Sequence, residues 1–212
     1  MVYRLGHLLF SCYFKLVYRW QIFGLENIPA SGPFIICSNH ISWFDPPLIG
    51  CSIPPKLMVY FMAKQELFKN FIFGAILKKI GAFPIDRNKV DYAAIRTSFQ
   101  LLAEGKVICL FPEGTRSKSG RLQPAHPGAA MIAARSKAPV LPVAITGPYR
   151  PGRPLLVNFG PVFYLPNLER GNRKDNLKAH SKIIMSRIGE LLIPDQEREL
   201  QRGKMEAWNS RE

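Results

Sequence analysis

The chain has 212 residues, of which 47% are hydrophobic and 21% charged, a balance that fits one globular domain and excludes a disordered chain. Its formal net charge is +14, from 29 Lys and Arg against 15 Asp and Glu, so we expect a polyanionic partner. The positive charge is scattered, without a zinc-finger or RNP-type motif, which favours an anionic membrane surface and argues against nucleic acid. The four cysteines form no Cys-x-x-Cys pair, so the sequence predicts no disulfide, no metal site and a reducing cytoplasm.

Residues 1–23 are predicted to form a helix that lies in the membrane interface. Aromatic residues mix there with Arg4, Lys15 and Arg19, which is typical of interfacial helices. The stretch without Lys or Arg between Arg4 and Lys15 is only ten residues long, whereas a spanning helix needs roughly 20 apolar residues. No signal-peptide cleavage site follows. The alternative is a helix packed on the domain core.

The rest of the chain predicts a single α/β domain, a mixed β-sheet covered by helices, over residues 24–194. Residues 24–32 form a connector rich in turn residues, and residues 195–212 form a polar C-terminal tail. Apolar strand-like runs alternate with helical patterns, as such folds require. The predicted strands are 34–37, 58–62, 81–85, 107–111, 140–145 and 155–159, and the predicted helices are 64–79, 92–104, 128–135 and 175–192.

The heptapeptide NHISWFD (39–45) carries the strongest functional signal. His40 and Asp45 would lie about 140° apart on a regular helix, so their contact requires a turn. Pro46 provides one, because the residue before a proline is kept out of the α region. A carboxylate on one imidazole nitrogen fixes the tautomer and leaves the other nitrogen free to take a proton from a bound alcohol. The alternative is that Asp45 caps a helix and His40 is an ordinary turn residue.

Two further polar clusters follow predicted strands: GAFPIDR (81–87) and FPEGTRS (111–117). In open α/β sheets, ligands bind beyond the carboxyl ends of strands. Arg87 and Arg116 can each hold a phosphate through two hydrogen bonds, and the Thr115 hydroxyl and the amides around Gly114 can add donors. Taken singly, each arginine is also compatible with a solvated surface position.

The segments NHISWFD, GAFPIDR, FPEGTRS and VLPV (140–143) resemble, in order, the four blocks of the glycerolipid acyltransferase family, of the type that acylates 1-acyl-sn-glycerol-3-phosphate to phosphatidic acid. The resemblance implies an αβ core with a seven-stranded mixed sheet, a membrane-binding N-terminal helical motif and a position at the cytoplasmic face of the cell membrane. It implies a lysophospholipid acceptor and an acyl thioester of acyl carrier protein or coenzyme A as donor, without metal or other cofactor. Residue by residue, it implies His40 as general base, Asp45 as its orienter, and acceptor binding by Arg87, Glu113, Gly114, Thr115 and Arg116, with Lys64 a basic position near the site.

Two departures from the family pattern limit this interpretation. The N-terminal segment has room for about one helix, where relatives carry two. Ala125-His126-Pro127-Gly128 stands where many relatives have Phe-Lys before the glycine, which leaves open another lysolipid acceptor. A non-catalytic basic protein that binds membranes or nucleic acid remains the alternative from a different class.

Overall fold

In the computed structural model, residues 2–166 and 172–192 are described, so the predicted tail 195–212 lies outside them. The helices are α1 (Val2–Val17), α2 (Asp45–Ser52), α3 (Phe71–Lys79), α4 (Tyr92–Ala103), α5 (Pro127–Ser136) and α6 (Arg173–Glu190). The strands are β1 (Arg19–Phe23), β2 (Phe34–Ser38), β3 (Val59–Lys64), β4 (Ala82–Ile85), β5 (Val107–Leu110), β6 (Val140–Thr146) and β7 (Pro154–Phe159). All six predicted strands are confirmed, with bounds that differ by one or two residues.

The strands form one seven-stranded mixed sheet in the order β1-β7-β6-β2-β5-β3-β4, which confirms the predicted fold class. All neighbours pair in parallel except β6 and β7, which are antiparallel. Every residue of β2, β5 and β6 is buried, because helices cover both faces and a strand buried on both sides needs no polar alternation. Cys37 and Cys109 are core residues, as predicted. The carboxyl ends of β2, β3, β4, β5 and β6 therefore meet at one edge of the sheet.

The prediction of a helix through residue 23 was wrong. The helix α1 ends at Val17, and β1 follows as an edge strand paired with β7. The Arg19 amide donates to the Arg153 carbonyl at 3.0 Å, and the Gly152 amide donates to the Val17 carbonyl at 2.8 Å. The segment Arg19–Phe23 carries the same mixture of aromatic and basic residues as α1, so composition did not separate a strand from a helix.

One face of α1 packs on the core and the other is exposed. Phe14 is fully buried and lies near Phe44 and Trp20. The exposed face carries large apolar side chains, namely Val2, Leu5, Leu8, Leu9, Phe10 and Leu16. Within residues 2–166 and 172–192, no helix has both the length and the apolar character to cross a bilayer. The two alternatives for the N-terminal helix are thus compatible, because packing uses only one of its faces.

The predicted helix 64–79 is divided in two. A short 3-10 helix, Gln65–Phe68, is followed by a new start at Asn70, whose side chain accepts the Phe73 amide at 2.9 Å. A side-chain cap of this kind satisfies a free amide at a helix start, which favours beginning α3 there. Phe73, Ile76 and Leu77 of α3 then line the groove described next.

Candidate active site

His40 and Asp45 form a buried pair at the carboxyl end of β2. Nδ1 of His40 lies 2.7 Å from Oδ2 of Asp45. The same oxygen accepts the amides of Ile41 at 2.6 Å and Ser42 at 2.8 Å. A carboxylate only accepts, so Nδ1 carries the hydrogen and Nε2 is left as the acceptor. Asp45 is the first residue of α2, whose N-cap is Phe44 without a side-chain cap, so the alternative that Asp45 caps the helix was wrong. Pro46 also does not keep Asp45 out of the helix, because the turn that brings Asp45 to His40 lies before α2.

The residues around His40 hold its ring and backbone in place. The Asn39 side chain bridges to β6, donating to the Ile145 carbonyl at 2.9 Å and accepting the Ile145 amide at 2.7 Å. The Ser117 amide donates to the His40 carbonyl at 2.7 Å. The imidazole stacks on Phe111, with ring centres 4.1 Å apart. These contacts fix the side chain from three strand ends, as a preorganised base requires.

Tyr149 completes the surroundings of Asp45, and the sequence analysis missed it. Its hydroxyl donates to Oδ1 of Asp45 at 2.6 Å from the loop between β6 and β7. Burial and the neighbouring Asp45 carboxylate raise the pKa of Tyr149, so this hydroxyl remains a donor. The two residues are 104 positions apart, and no spacing connects them. A search for polar residues after every predicted strand, including β6, would have identified Tyr149.

Glu113 makes contacts different from the acceptor binding that the family resemblance implied. It is 1% exposed. Oε1 accepts the His40 amide at 3.0 Å, and Oε2 accepts the Gln123 amide at 3.1 Å. Burial raises the pKa of Glu113, although these two amides act in the opposite direction. Because both oxygens are bonded to backbone, we expect Glu113 to hold the loop after β5 against His40 instead of contacting an acceptor directly.

Gly114 and Thr115 lie in the exposed turn that follows Glu113. The Gly114 amide donates to the Phe111 carbonyl at 2.9 Å, so this one of the amides around Gly114 already has a partner within the turn. That the neighbouring amides bind a phosphate stays a prediction. Gly114 has a φ of +68°, and a Cβ there would lie 2.7 Å from Cδ2 of His126. His126, the residue that departs from the family pattern, therefore packs where a side chain would otherwise stand. Only glycine fits this turn without strain.

Arg87 and Arg116 lie close enough to influence each other. Desolvation, followed by the charge of Arg116, lowers the pKa of Arg87. The guanidinium of Arg116 lies over the Trp43 ring, 3.9 Å from its centre. Within the described residues Arg87 forms no ion pair, and its neighbour Asp86 pairs with Lys89 at 3.6 Å. The Glu66 carboxylate is near enough to act on the pKa of Arg87 in the opposite direction from Arg116. Two neighbouring cations whose charge Glu66 offsets only in part favour the binding of an anion.

An apolar groove of about 460 Å³ begins beside these groups. His40, Lys64 and Arg87 contribute polar side chains to its wall, and Lys64 also pairs with Glu66 at 3.2 Å. The rest of the wall is mainly apolar and comes from α1, α2, β3 and α3. In the part of the chain that the structure describes, no three His, Cys, Asp or Glu side chains are grouped to hold a metal. The arrangement can position an alcohol at His40, an anion at Arg87 and a long apolar chain in the groove.

Comparison with known proteins identifies the class. Residues 19–146 match the family model described as Acyltransferase, and this chain belongs to that family of enzymes. It is 35% identical to the 1-acyl-sn-glycerol-3-phosphate acyltransferase of Bacillus subtilis (strain 168) over 177 residues, which cover 81% of this chain and 87% of the relative. The enzyme of the same name from Streptococcus pneumoniae is 37% identical over 116 residues, 54% of this chain and 42% of the relative. The crystal structure of the 1-acyl-sn-glycerophosphate (LPA) acyltransferase PlsC from Thermotoga maritima superimposes with a TM-score of 0.68 at 25% identity, covering 90% of this chain and 78% of that one.

The resemblance found in the sequence is thus confirmed. The family match includes His40, Asp45, Arg87 and the segment 113–116, but it ends before Tyr149 and begins after α1. The roles of Tyr149 and α1 therefore rest on the structure of this chain.

Proposed function

We propose that this protein is a 1-acyl-sn-glycerol-3-phosphate acyltransferase, which moves a fatty acyl group from an acyl thioester to the 2-hydroxyl of the acceptor and forms phosphatidic acid. The observation that carries the proposal is the His40–Asp45 pair at 2.7 Å, whose His40 lies on the wall of an apolar groove that also includes Arg87. Relatives named for this reaction support the substrate assignment.

In the proposed mechanism, Nε2 of His40 removes the proton of the acceptor 2-hydroxyl while the oxygen attacks the thioester carbonyl carbon. Asp45 holds the imidazole and stabilises the imidazolium that forms. The tetrahedral intermediate collapses, the carbon–sulfur bond breaks, and the leaving thiolate takes the proton from His40. No acyl-enzyme is needed, because both substrates are bound together and proximity lowers the barrier.

The acceptor phosphate is assigned to Arg87, with Arg116 beside it. A phosphomonoester carries up to two negative charges and three terminal oxygens, and it would relieve the repulsion between the two guanidinium groups. Lys64 also lies on the groove wall, where it pairs with Glu66, so it adds a hydrogen-bond donor but little net positive charge to this end. Thr115, in the exposed turn beside Arg116, can add a hydroxyl donor.

The apolar groove is assigned to a fatty acyl chain. Its volume of about 460 Å³ is within the usual range of ligand sites, and most of its wall is apolar. Because His40 lies on the wall of the groove, one part of a bound chain lies near the base. The donor thioester is carried by acyl carrier protein or coenzyme A, and no cofactor beyond this carrier is required by the chemistry.

We assign the protein to the cytoplasmic face of the cell membrane as a peripheral or monotopic enzyme. The exposed Leu5, Leu8, Leu9 and Leu16 of α1, with the net charge of +14, favour contact with an anionic leaflet. That the protein does not bind nucleic acid stays a prediction from the sequence.

The direct test is acyl transfer by purified protein with labelled acyl-carrier-protein and coenzyme A thioesters against a panel of lysolipids. We expect product with lysophosphatidic acid and little with lysophosphatidylethanolamine or a lyso-ornithine lipid. Transfer to a neutral or zwitterionic acceptor at an equal rate would contradict the phosphate assignment but not the reaction class. Absence of transfer to every lysolipid would contradict the proposed function.

A further inference from the structure

Helix α3 carries bulky apolar side chains that contact little of the protein. Phe71 is 88% exposed and Ile72 is 70% exposed, and Phe73 and Ile76 are also exposed. Gly74 is the residue of α3 that is buried. The surfaces of soluble proteins rarely expose contiguous apolar side chains of this size, so we expect a partner to cover them.

The exposed side chains of α3 are continuous with the groove of the proposed active site. Phe73 and Ile76 of α3 line the groove and are themselves exposed, and so is Phe10 of α1 on the other side. The mouth of the groove therefore lies between two helices that both present apolar side chains. An apolar substrate that enters here passes between α1 and α3.

From residue 69 to residue 79 the charges are all positive, whereas Glu66 lies just before this segment and pairs with Lys64. Lys69 comes before the helix and Lys78 and Lys79 end it, and all three are exposed. The helix itself contains no Asp or Glu. A second copy docked on this face by a two-fold axis would bring like charges together, which opposes self-association. Anionic phosphate groups beside an apolar layer match both the lysines and the phenylalanine and isoleucine side chains.

We infer that α3 inserts Phe71 and Ile72 into the anionic lipid leaflet as a second anchor beside α1, so that the groove opens directly to lipid. The inference rests on the proposed function in one respect, namely that the acceptor is a membrane lipid. The helix is about 13 Å long, at 1.5 Å per residue, so it lies in the interface and does not cross the bilayer.

The test is sedimentation with vesicles of phosphatidylglycerol and phosphatidylcholine, compared with vesicles of phosphatidylcholine alone. The test variant is Phe71→Ser with Ile72→Ser. The matched control is Val162→Ser with Tyr164→Ser, which also replaces two exposed apolar residues. These control positions flank the bridge between Phe163 and Val140, at the amino end of β6 and so away from the groove mouth. All four side chains are exposed, so we expect melting temperatures close to that of the wild type.

We expect the α3 variant to bind the anionic vesicles at least about 10-fold more weakly than the wild type does, because interfacial binding scales with the apolar area inserted. The control variant should bind as the wild type does. Replacement of Lys69, Lys78 and Lys79 by Gln should reduce the preference for phosphatidylglycerol. Unchanged vesicle binding by the α3 variant would overturn the inference.

Further measurements distinguish a lipid leaflet from the two other partners that could cover α3, a second copy of the chain and the acyl carrier protein. They also distinguish failure of this inference from failure of the proposed function. If the wild type is a dimer by light scattering and the α3 variant is a monomer, a second copy covers the face and the inference fails. If the variant binds vesicles normally but loses transfer only from acyl carrier protein, the carrier docks there instead. Transfer to detergent-dispersed lysophosphatidic acid should stay within about 2-fold of wild type, because apolar insertion is no longer needed. A wild type without any such transfer would contradict the proposed function, whereas the vesicle comparison would still decide the role of α3.

Discussion

The hydroxyl of Tyr149 donates a hydrogen bond of 2.6 Å to Oδ1 of Asp45. Within the described residues, no other donor is bonded to this oxygen. The other oxygen, Oδ2, accepts from Nδ1 of His40 and from two backbone amides. Both oxygens are therefore held, and the carboxylate cannot rotate about its Cβ–Cγ bond without losing a hydrogen bond. Tyr149 thus fixes the group that fixes His40, and we assign it a positioning role.

Replacement of Tyr149 by Phe should lower kcat about 10- to 150-fold with little change in the acceptor KM, because a hydrogen bond to a charged group typically contributes roughly 1.5–3 kcal/mol. Steady-state kinetics beside a melting curve measures both effects. The control is Tyr13→Phe, which removes a hydroxyl from the same aromatic cluster, where it lies 3.4 Å from Tyr18 but is not bonded to Asp45. If both variants lose equal activity, the cluster acts through packing and Tyr149 has no special role.

Replacement of His40 by Ala should reduce turnover by at least about 10²–10⁴-fold, as expected for the loss of a general base. Asp45→Asn should reduce it as well and should also lower the melting temperature, because Oδ2 accepts two amides that close the turn before α2. Labelled acyl transfer and circular dichroism distinguish these two effects. A His40→Ala protein that keeps more than about a tenth of wild-type turnover would remove His40 from the mechanism.

Substitutions on the outer face of α1 test membrane contact better than a deletion does. Removal of residues 1–23 would take away the edge strand β1 and the buried Phe14, so lost binding could reflect unfolding. Leu8→Ser with Leu9→Ser replaces two exposed side chains and should weaken binding to anionic vesicles about 10-fold with an unchanged melting temperature. Normal sedimentation of this variant would show that α1 is not the anchor.

Much of the sheet and the central pair could be predicted from the sequence, whereas several long-range contacts could not. Residues 34–37 and 140–145 are apolar throughout, which is what a doubly covered strand requires. The strand Arg19–Phe23 was missed because its pairing with β7 is decided by tertiary contact, not by its own composition. For Glu113, the family resemblance implied acceptor binding, and no local pattern shows that its partners are the amides of His40 and Gln123.

A pH dependence of stability is expected from His180, on α6. This residue is buried, its Nδ1 has no hydrogen-bond partner in the described part of the chain, and burial lowers its pKa below the ordinary 6.5. The unfolded chain therefore binds more protons near this pH, so the free energy of unfolding is highest above pH 6.5 and decreases as the pH falls below it.

The measurement compares urea unfolding of the wild type and of His180→Leu between pH 7.5 and pH 5.5. The wild type should lose up to about 1.4 kcal/mol more per pH unit than the variant. Ile184→Val, at a buried position on the same helix, is a control that removes packing without removing a titratable group. Equal slopes for the wild type and His180→Leu would show that His180 does not contribute.

Under the phosphate assignment, Arg87 recognises the phosphate end of the acceptor. Loss of a guanidinium that binds two phosphate oxygens should cost roughly 1.5–3 kcal/mol, so Arg87→Ala should raise the acceptor KM about 10- to 150-fold. The KM for the acyl donor should change little. Arg87→Lys should restore part of the loss, because an ammonium is a point charge without the planar fork of a guanidinium.

The control for Arg87 is Lys89→Ala in the same loop. It removes one positive charge and an exposed ion pair with Asp86, but it does not alter the groove wall. A general electrostatic effect would raise the acceptor KM equally in both variants, whereas a phosphate clamp affects only Arg87. Asp86 pairs with Lys89 and not with Arg87, so the carboxylate through which Arg87 could support the sheet edge is Glu66. An unchanged acceptor KM in Arg87→Ala, together with a lowered melting temperature, would establish that structural role and exclude the clamp.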